Sequence, residues 1–340
     1  MKNIKYILGA LTATFLSSAA LAQDVHFSQF QMAPVSSNPA QTGGFEGTFR
    51  VGGIYREQWA SILDKNKFVT PSAYIDAPIV RGFGKNDWVG AGAVVVNDKS
   101  GLGSLENTTA LLSLAYHLGL GKKGNSTLAL GVQGGIVNKK FNVEGLVGEE
   151  NIKNGTTNAM GETFANNAVS YPDFAGGAMF THTVSSKVNF NVGAAMAHFT
   201  TPKETFKNSG FQTLSNRISA QAAANIDLAD RITLMPAVMY QTQAKTSELN
   251  VQSNVGFHMN AAKDITVLGG LGYRATKADA LFPMVGVWYK GLRAGVAYDI
   301  NIGDLNPYTR GQGGFEIGLS YIARISKLPV VKPILFCPRF

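Results

Sequence analysis

The strongest constraint in this chain is an alternation of apolar and polar residues with a period of two, sustained over about ten residues at a time. The segment 249–260 shows it most clearly. Its apolar set is Leu249, Val251, Val255, Phe257 and Met259, and its polar set includes Asn250, Gln252, Asn254, His258 and Asn260. In an extended strand these two sets point to opposite faces. Segments 188–196, 292–301 and 315–321 repeat the pattern, which predicts two-faced β-strands.

Alternating runs of this length, separated by turn residues, are typical of transmembrane β-barrels, which pair every backbone polar group between strands. A soluble β-sandwich also alternates, but its strands are usually only about five or six residues long. The fourteen runs lie near 45–58, 68–78, 86–97, 104–118, 125–139, 169–182, 187–200, 214–228, 231–241, 246–261, 265–274, 280–289, 291–301 and 313–325. They predict an all-β fold, a transmembrane antiparallel outer-membrane β-barrel of about fourteen strands. The second run is the least regular, because Pro71 and Pro78 interrupt it.

Composition excludes several other classes. Only 15% of the residues are charged, whereas soluble domains average about 25%. No stretch after residue 22 is long and apolar enough for a membrane-spanning helix. Lysine and arginine exceed the acidic residues by 30 to 22 but are scattered over predicted turns. We therefore expect contact with outer-membrane lipid and no nucleic-acid partner.

The two ends of the chain differ from the alternating middle. Lys2 and Lys5 precede an apolar stretch and a small-residue cleavage site at 20–22, which predicts a secretory signal peptide. The polar segment that follows and the proline-rich C-terminal segment are both predicted to lie outside the wall of the barrel. The predicted organisation is a signal peptide at 1–22, a periplasmic leader at 23–44, a barrel at 45–326 and a periplasmic tail at 327–340.

The predicted connections alternate between short and long, and the long ones all fall on one side. Outer-membrane barrels place short turns in the periplasm and long loops outside, so we expect both termini in the periplasm. The longest connection, 140–168, carries apolar residues that would be exposed: Phe141, Val143, Leu146, Val147 and Phe164. Such residues often mark a binding surface, although an unstructured loop explains them equally well.

The sequence contains no convincing motif for an enzymatic or metal-binding site. The sequence 119–124 matches a dinucleotide-binding pattern, but it joins two alternating strands and no helix follows. The histidines show no metal spacing, and no nucleophile-elbow motif occurs, so no enzyme, metal or cofactor is expected. Cys337 is the only cysteine; it either pairs with a partner or packs as a small apolar residue.

Four charged residues fall on the polar faces of predicted strands. They are Arg56, Arg293, Asp299 and Glu316. Charges of both signs that face into a lumen form ion pairs, or they line a selectivity ring. We expect the first arrangement and leave the second open.

Both ends of the mature chain carry a resemblance to one known family. The residues that carry it in the leader are Asp24, His26, Phe27, Ser28, Gln29, Asn38 and Pro39, and those in the tail are Cys337, Pro338, Arg339 and Phe340. The run 55–59, Tyr-Arg-Glu-Gln-Trp, adds to them. This pattern resembles the PorP/SprF family of outer-membrane proteins of the type IX secretion system of Bacteroidetes.

The resemblance implies a non-enzymatic barrel with one of two roles. Some family members bind a large secreted adhesin with a C-terminal sorting domain, as in gliding motility, and help to export it or anchor it at the surface. Others are core components linked to periplasmic ring lipoproteins. The many small residues on the polar faces leave a porin-like channel as a further alternative. They would equally suit a leader and tail that pack together or plug the lumen.

Overall fold

The fold is a single closed wall of β-strands. The structure is a computed structural model that describes residues 24–81, 86–101, 105–121, 125–140, 168–204, 213–260, 264–275 and 280–325. The strands are β1 Phe49–Gln58, β2 Phe68–Arg81, β3 Trp88–Ser100, β4 Leu105–Leu120, β5 Ser126–Lys140, β6 Ala168–Ser185, β7 Val188–Ala197, β8 Arg217–Ala229, β9 Ile232–Gln243, β10 Thr246–His258, β11 Ile265–Ala275, β12 Ala280–Tyr289, β13 Leu292–Asn301 and β14 Gln312–Ala323.

Each strand pairs with its neighbours in sequence, and β1 pairs with β14 to close the barrel. The closing pair is antiparallel and places Arg56 opposite Glu316. Closure leaves no strand edge unpaired, which is the requirement that hydrocarbon imposes on a spanning sheet. The predicted antiparallel barrel of fourteen strands is confirmed, and each predicted run overlaps one observed strand.

The two prolines of β2 lie at defects in the hydrogen-bonding ladder. Pro71 is paired with Tyr55 of β1. On its other side, the pairing with β3 omits positions 70 and 71, although Val69 and Ser72 on either side keep one register. Pro78 lies beside a register shift in the same pair. A residue without an N–H group is tolerated where the ladder is already interrupted, so β2 continues through both prolines to Arg81.

The longer connections gather at one end of the barrel. We call it the long-connection end; among the described residues it holds 59–67, 198–204, 213–216 and 302–311. Short helical turns occur there at Ala60–Leu63, Asp64–Asn66 and Asn306–Thr309. The opposite end, which we call the short-connection end, holds tight turns such as 186–187, 230–231 and 290–291.

The two faces of the wall divide as the alternation predicts. On β10, Val251 and Val255 point outward and are 45% and 46% exposed, whereas Asn250 and Gln252 point inward and are buried. The same division runs round the barrel, so an apolar band surrounds a lumen lined by polar and small residues. This is the pattern of a barrel whose outer surface faces lipid.

Within the described residues, no helix is both long enough and apolar enough to span a membrane. The wall runs from Phe49 to Ala323, within the predicted barrel limits of 45–326. The predicted signal peptide, the tail at 327–340 and most of the connection 140–168 fall outside the described residues.

Leu112 tests the orientation of the wall. It lies in the middle of β4, points outward and is 71% exposed. We expect Leu112→Arg to destabilise the membrane-inserted barrel by about 2–4 kcal/mol, because a cation near the bilayer midplane is costly. Urea unfolding of barrels folded into lipid vesicles measures this difference. Leu112→Ile is the control and should unfold like the wild type; an unchanged midpoint for Leu112→Arg would contradict a lipid-facing position.

Candidate functional site: the plugged lumen

The segment 24–44, which we call the leader, lies inside the barrel. Ala33, Val35, Asn38 and Thr42 are at most 1% exposed. The leader forms short helical turns at Phe30–Met32, Pro34–Ser37 and Pro39–Gln41. Its contacts reach strands on all sides of the barrel, from β4, β5 and β6 to β10, β13 and β14. Only a segment in the lumen can touch all of these strands.

The leader runs along the lumen from one end to the other. Asp24 lies at the long-connection end, beside His198 and Arg217. Gly43 lies toward the short-connection end, where its carbonyl accepts a hydrogen bond from the Trp88 indole at 2.9 Å. The sequence predicts a leader on the periplasmic side that either packs with the tail or plugs the lumen. The described leader takes the plug arrangement, and its first residues are at the end opposite to Phe49.

A cluster of buried charges holds the middle of the leader. The guanidinium of Arg56 contacts the carboxylates of Asp299, at 2.7 Å, and Glu316. Arg274 lies 3.1 Å from Asp299. The two carboxylates also accept hydrogen bonds from the leader. Ser28 Oγ donates to Asp299 at 2.6 Å, and the backbone amides of Ser28 and Gln29 donate to Glu316 at 2.6 and 2.9 Å.

This cluster links the leader to the wall strongly. Buried charges are tolerated only when they are paired and hydrogen-bonded, and removal of one member typically costs about 3–5 kcal/mol. The two carboxylates and two guanidiniums compensate each other on the wall, and the leader supplies the remaining hydrogen bonds. Displacement of the leader would leave both carboxylates with fewer donors in a confined space.

A second cluster holds the first residue of the leader. The imidazole of His198 lies between two carboxylates, 2.6 Å from Asp24 and 2.9 Å from Asp173. Burial disfavours the charged imidazole, but the two hydrogen bonds and the two negative charges outweigh burial and raise the pKa of His198 to about 9. Burial likewise opposes the ionised form of Asp24, yet Arg217 and His198 hold its pKa well below the usual range.

A third set of contacts holds the end of the leader that enters the wall. The Gly43 amide donates to Asp76 at 2.7 Å, and Asp76 is also paired with Arg50 at 2.7 Å. The ring of His117 hydrogen-bonds to the carbonyl of Thr42 at 2.8 Å. Wall side chains thus recognise the leader largely through its main chain.

Inward-facing glycines make room for the leader. A Cβ atom on Gly90 would lie 2.1 Å from the carbonyl oxygen of Thr42, and one on Gly131 would lie 2.3 Å from the carbonyl carbon of Pro39. A Cβ atom on Gly177 would lie 2.2 Å from the side-chain oxygen of Asn38. These distances are too short for any side chain, so part of the high glycine content reflects the fit between wall and leader.

The leader does not fill the lumen completely. One cavity of about 120 Å³ lies near Asp24, Tyr171 and His198. Another of about 220 Å³ lies beside Phe30, between the leader and strands β7 to β13. Both volumes are small compared with the water-filled lumen of a general porin.

Apart from those of the leader, the predicted site residues fall into three groups. Arg56, Asp299 and Glu316 are brought together in the first cluster. Arg293 is separate: its guanidinium lies over the Trp288 ring, 4.6 Å from the centroid, so these four residues do not form a ring of charges. The third group, Phe141, Val143, Leu146, Val147, Phe164, Cys337, Pro338, Arg339 and Phe340, lies outside the described residues.

The leader residues that carried the resemblance all contact the wall. Ser28 and Gln29 belong to the first cluster, Asp24 to the second, and His26 lies 3.4 Å from Glu248. Phe27 packs with Ala33 and Ile54. Asn38 donates to the carbonyls of Ala178 and Ala194 at 3.1 and 3.2 Å. Pro39 begins a helical turn at Gly131.

Sequence reasoning missed several residues of these clusters. Arg274, Asp173, His198 and Asp76 were not singled out, although Arg274, Asp173 and Asp76 occupy inward positions of alternating strands. A systematic search for charged residues on the polar face of every run would have found these three. His198 follows β7 and carried no such signal.

Comparison with known proteins identifies the family. The profile of the type IX secretion system membrane proteins PorP/SprF matches residues 19–321 of this chain. The chain belongs to the PorP/SprF family. It is therefore a membrane barrel of type IX secretion with an outer-membrane location. No curated protein matches it in a sequence search.

Solved structures with similar folds are channels. The TodX deltaS2S3 mutant monoaromatic hydrocarbon channel is 13% identical, with a TM-score of 0.51 over 86% of this chain and 94% of that one. The CymD monoaromatic hydrocarbon channel is 10% identical, with a TM-score of 0.52 over 86% and 93%. The toluene transporter TbuX of Ralstonia pickettii is 11% identical, with a TM-score of 0.49 over 86% and 94%. At these identities the first two comparisons support the barrel fold alone.

The family and the similar structures are secretion and channel barrels rather than enzymes. Among the described residues, no group of three or more histidine, cysteine, aspartate or glutamate side chains is placed to hold a metal ion. The 119–124 motif begins at the end of β4, where Gly121 turns with a φ of 80°.

Gly131 tests the fit between wall and leader. We expect Gly131→Ala to displace the leader near Pro39, because overpacking of this kind costs about 1–3 kcal/mol. Single-channel conductance in planar bilayers should rise towards that of a protein that lacks residues 23–42. Gly269→Ala is the control, since a Cβ atom there would meet nothing within 4 Å. Equal conductance in the two variants and the deletion would refute the plug.

The His198 cluster predicts a pH dependence of the leader's first residues. The folded-state pKa of His198, about 9, is above the ordinary histidine value of about 6.5. The stabilisation from the imidazolium is therefore fully present below about pH 6.5 and is lost as pH rises through about 9. We expect the Asp24 and Val25 amides to exchange faster above that pH, after correction for the intrinsic rate. His198→Gln should abolish the pH step, and His182→Gln should retain it. A step that survives in His198→Gln would contradict this origin.

Proposed function

We propose that this barrel binds a large secreted surface adhesin through the adhesin's C-terminal domain and helps to export it or anchors it at the cell surface. Family membership supports a role in type IX secretion. One observation favours binding over passive transport: the leader occupies the lumen and is fixed to the wall by buried charge clusters. A barrel closed in this way acts through its ends rather than through an open pore.

The long-connection end is the proposed binding surface. Its described segments 59–67, 198–204, 213–216 and 302–311 lie at the same end as Lys140 and Ala168, where the long connection leaves and re-enters the wall. We propose that this end faces the outside and that the short-connection end, with the tail that follows Ala323, faces the periplasm. The asymmetry supports this orientation, because outer-membrane barrels place their short turns in the periplasm.

A channel is the second candidate, and the cavities of about 120 and 220 Å³ beside the leader favour it. They would allow small solutes to pass only if the leader moved. A core role that links the barrel to periplasmic ring lipoproteins follows from the family alone. Co-purification of partners and ion conductance together distinguish the three roles.

The adhesin role is tested by replacing the apolar residues of the long loop. The variant changes Phe141, Val143, Leu146, Val147 and Phe164 to serine in the tagged protein in its own outer membrane. We expect the wild type to co-purify with a very large secreted protein and the variant to retain less than about a tenth of it, because burial of apolar surface is the main driving force of most protein–protein association. Thr156→Ala with Thr157→Ala is the control in the same loop and should retain the partner.

Other outcomes favour the other roles. Co-purification of periplasmic lipoproteins without an adhesin would support the core role and contradict anchoring. A barrel without partners that conducts ions with its leader in place would support the channel. Retention of the adhesin by the serine variant would exclude the long loop as the binding surface.

A further inference from the structure

The cavity of about 220 Å³ beside the leader has an unusual lining. It lies between the leader and strands β7 to β13, in the half of the lumen nearer the short-connection end. Eight side-chain amides and two arginines line it, whereas no aspartate or glutamate is among its described lining residues. A lining of this kind offers many hydrogen-bond donors and acceptors and a positive charge, so it favours a polar ligand that is neutral or anionic.

Two of these amides are incompletely satisfied. Gln221 and Gln252 are 9% and 3% exposed, and both line the cavity. Gln221 Oε1 and Gln252 Nε2 are buried and find no hydrogen-bond partner within the described structure. Because an unsatisfied buried polar atom typically costs about 1–3 kcal/mol, such atoms are expected where a further group completes the site.

One of the two arginines is available to an anion. Arg50 is paired with Asp76 at 2.7 Å. Arg293 forms none of the ion pairs between described residues. Its guanidinium lies over the Trp288 ring, 4.6 Å from the centroid, and the side chain is exposed. The cation–π contact with Trp288 restrains the guanidinium without pairing it with a carboxylate, and a guanidinium offers paired N–H groups that can bind a carboxylate in a bidentate way.

We propose that this cavity binds a sugar acid, a small ligand that carries several hydroxyl groups and one carboxylate. The carboxylate would pair with Arg293. The hydroxyls, each both donor and acceptor, would match amides such as Gln252, Asn225 and Asn254. The cavity of about 220 Å³ has room for a monosaccharide, because about 10–15 Å³ is enough to hold one water molecule. An amino acid fits less well, since its ammonium group would meet no acidic lining residue.

Isothermal titration of the purified, full mature barrel in detergent tests the proposal. The probes are glucuronate, glucose and acetate, which separate the contributions of the hydroxyls and the carboxylate. We expect glucuronate to bind at least tenfold more tightly than either of the others. Arg293→Gln should weaken glucuronate binding at least tenfold, and Gln252→Leu should weaken it about fivefold. Arg231→Gln, an exposed arginine in the tight turn after β8, is the control and should bind like the wild type.

Three results would overturn the proposal. They are acetate binding as tight as that of glucuronate, unchanged affinity in Arg293→Gln, and no binding of glucuronate. Heat-modifiable mobility on gels reports whether each variant forms the barrel. If Gln252→Leu does not fold, the affinity of Arg293→Gln for glucuronate still tests the proposal. Arg293 is exposed, so its replacement leaves no buried charge unpaired.

Discussion

The number of strands imposes the main constraint on this molecule. Hydrocarbon requires every backbone polar group of the wall to be paired, and a closed barrel achieves this. The interior of a closed barrel widens with strand number, and wall side chains alone fill it at about eight strands. With fourteen strands, the lumen must either hold water or be filled by another part of the chain. The leader from Asp24 to Gly44 provides most of that filling.

The way in which the wall holds the leader follows from this geometry. The leader has little regular secondary structure, so its backbone groups need partners from the wall. Glu316 accepts from the Ser28 and Gln29 amides, Asp76 accepts from Gly43, and Gln133 donates to the carbonyl of Val35 at 2.8 Å. Apolar contacts fill the spaces between these bonds, as where Val35 packs with Tyr74 and Val94.

The sequence predicted the wall well because a period of two is a local signal. The alternation within each strand indicates which residues face the lumen and which face outward, as in 249–260. Closure of the barrel follows from the requirement to pair the strand edges. Pro71 and Pro78 do not end β2, because each lies where its pairing with β3 is interrupted and no N–H group is needed. The sequence of β2 alone does not show where those interruptions fall. The family resemblance was also visible in the sequence, because the residues that carry it in the leader form one short segment, within 22 residues of the predicted cleavage site.

The sequence could not predict the clusters in the same detail. Arg56, Asp299 and Glu316 were recognisable as inward charges, but their meeting with Arg274 and Ser28 depends on register across the β1–β14 seam and on the path of the leader. Arg293 has the same sequence signal as Arg56, yet it lies over Trp288. Only the three-dimensional arrangement distinguishes a charge that fixes the leader from one that faces a cavity.

The direction of the leader bears on the order of assembly. Its first described residue is at the far end of the lumen from Phe49, where β1 begins. Any peptide attached ahead of Asp24 would therefore emerge among the long connections. Removal of the predicted export signal shortens the segment that has to pass through the barrel or be enclosed as β1 and β14 meet. The length of chain that the closed wall has to accommodate at the long-connection end is therefore set by where the export signal is removed.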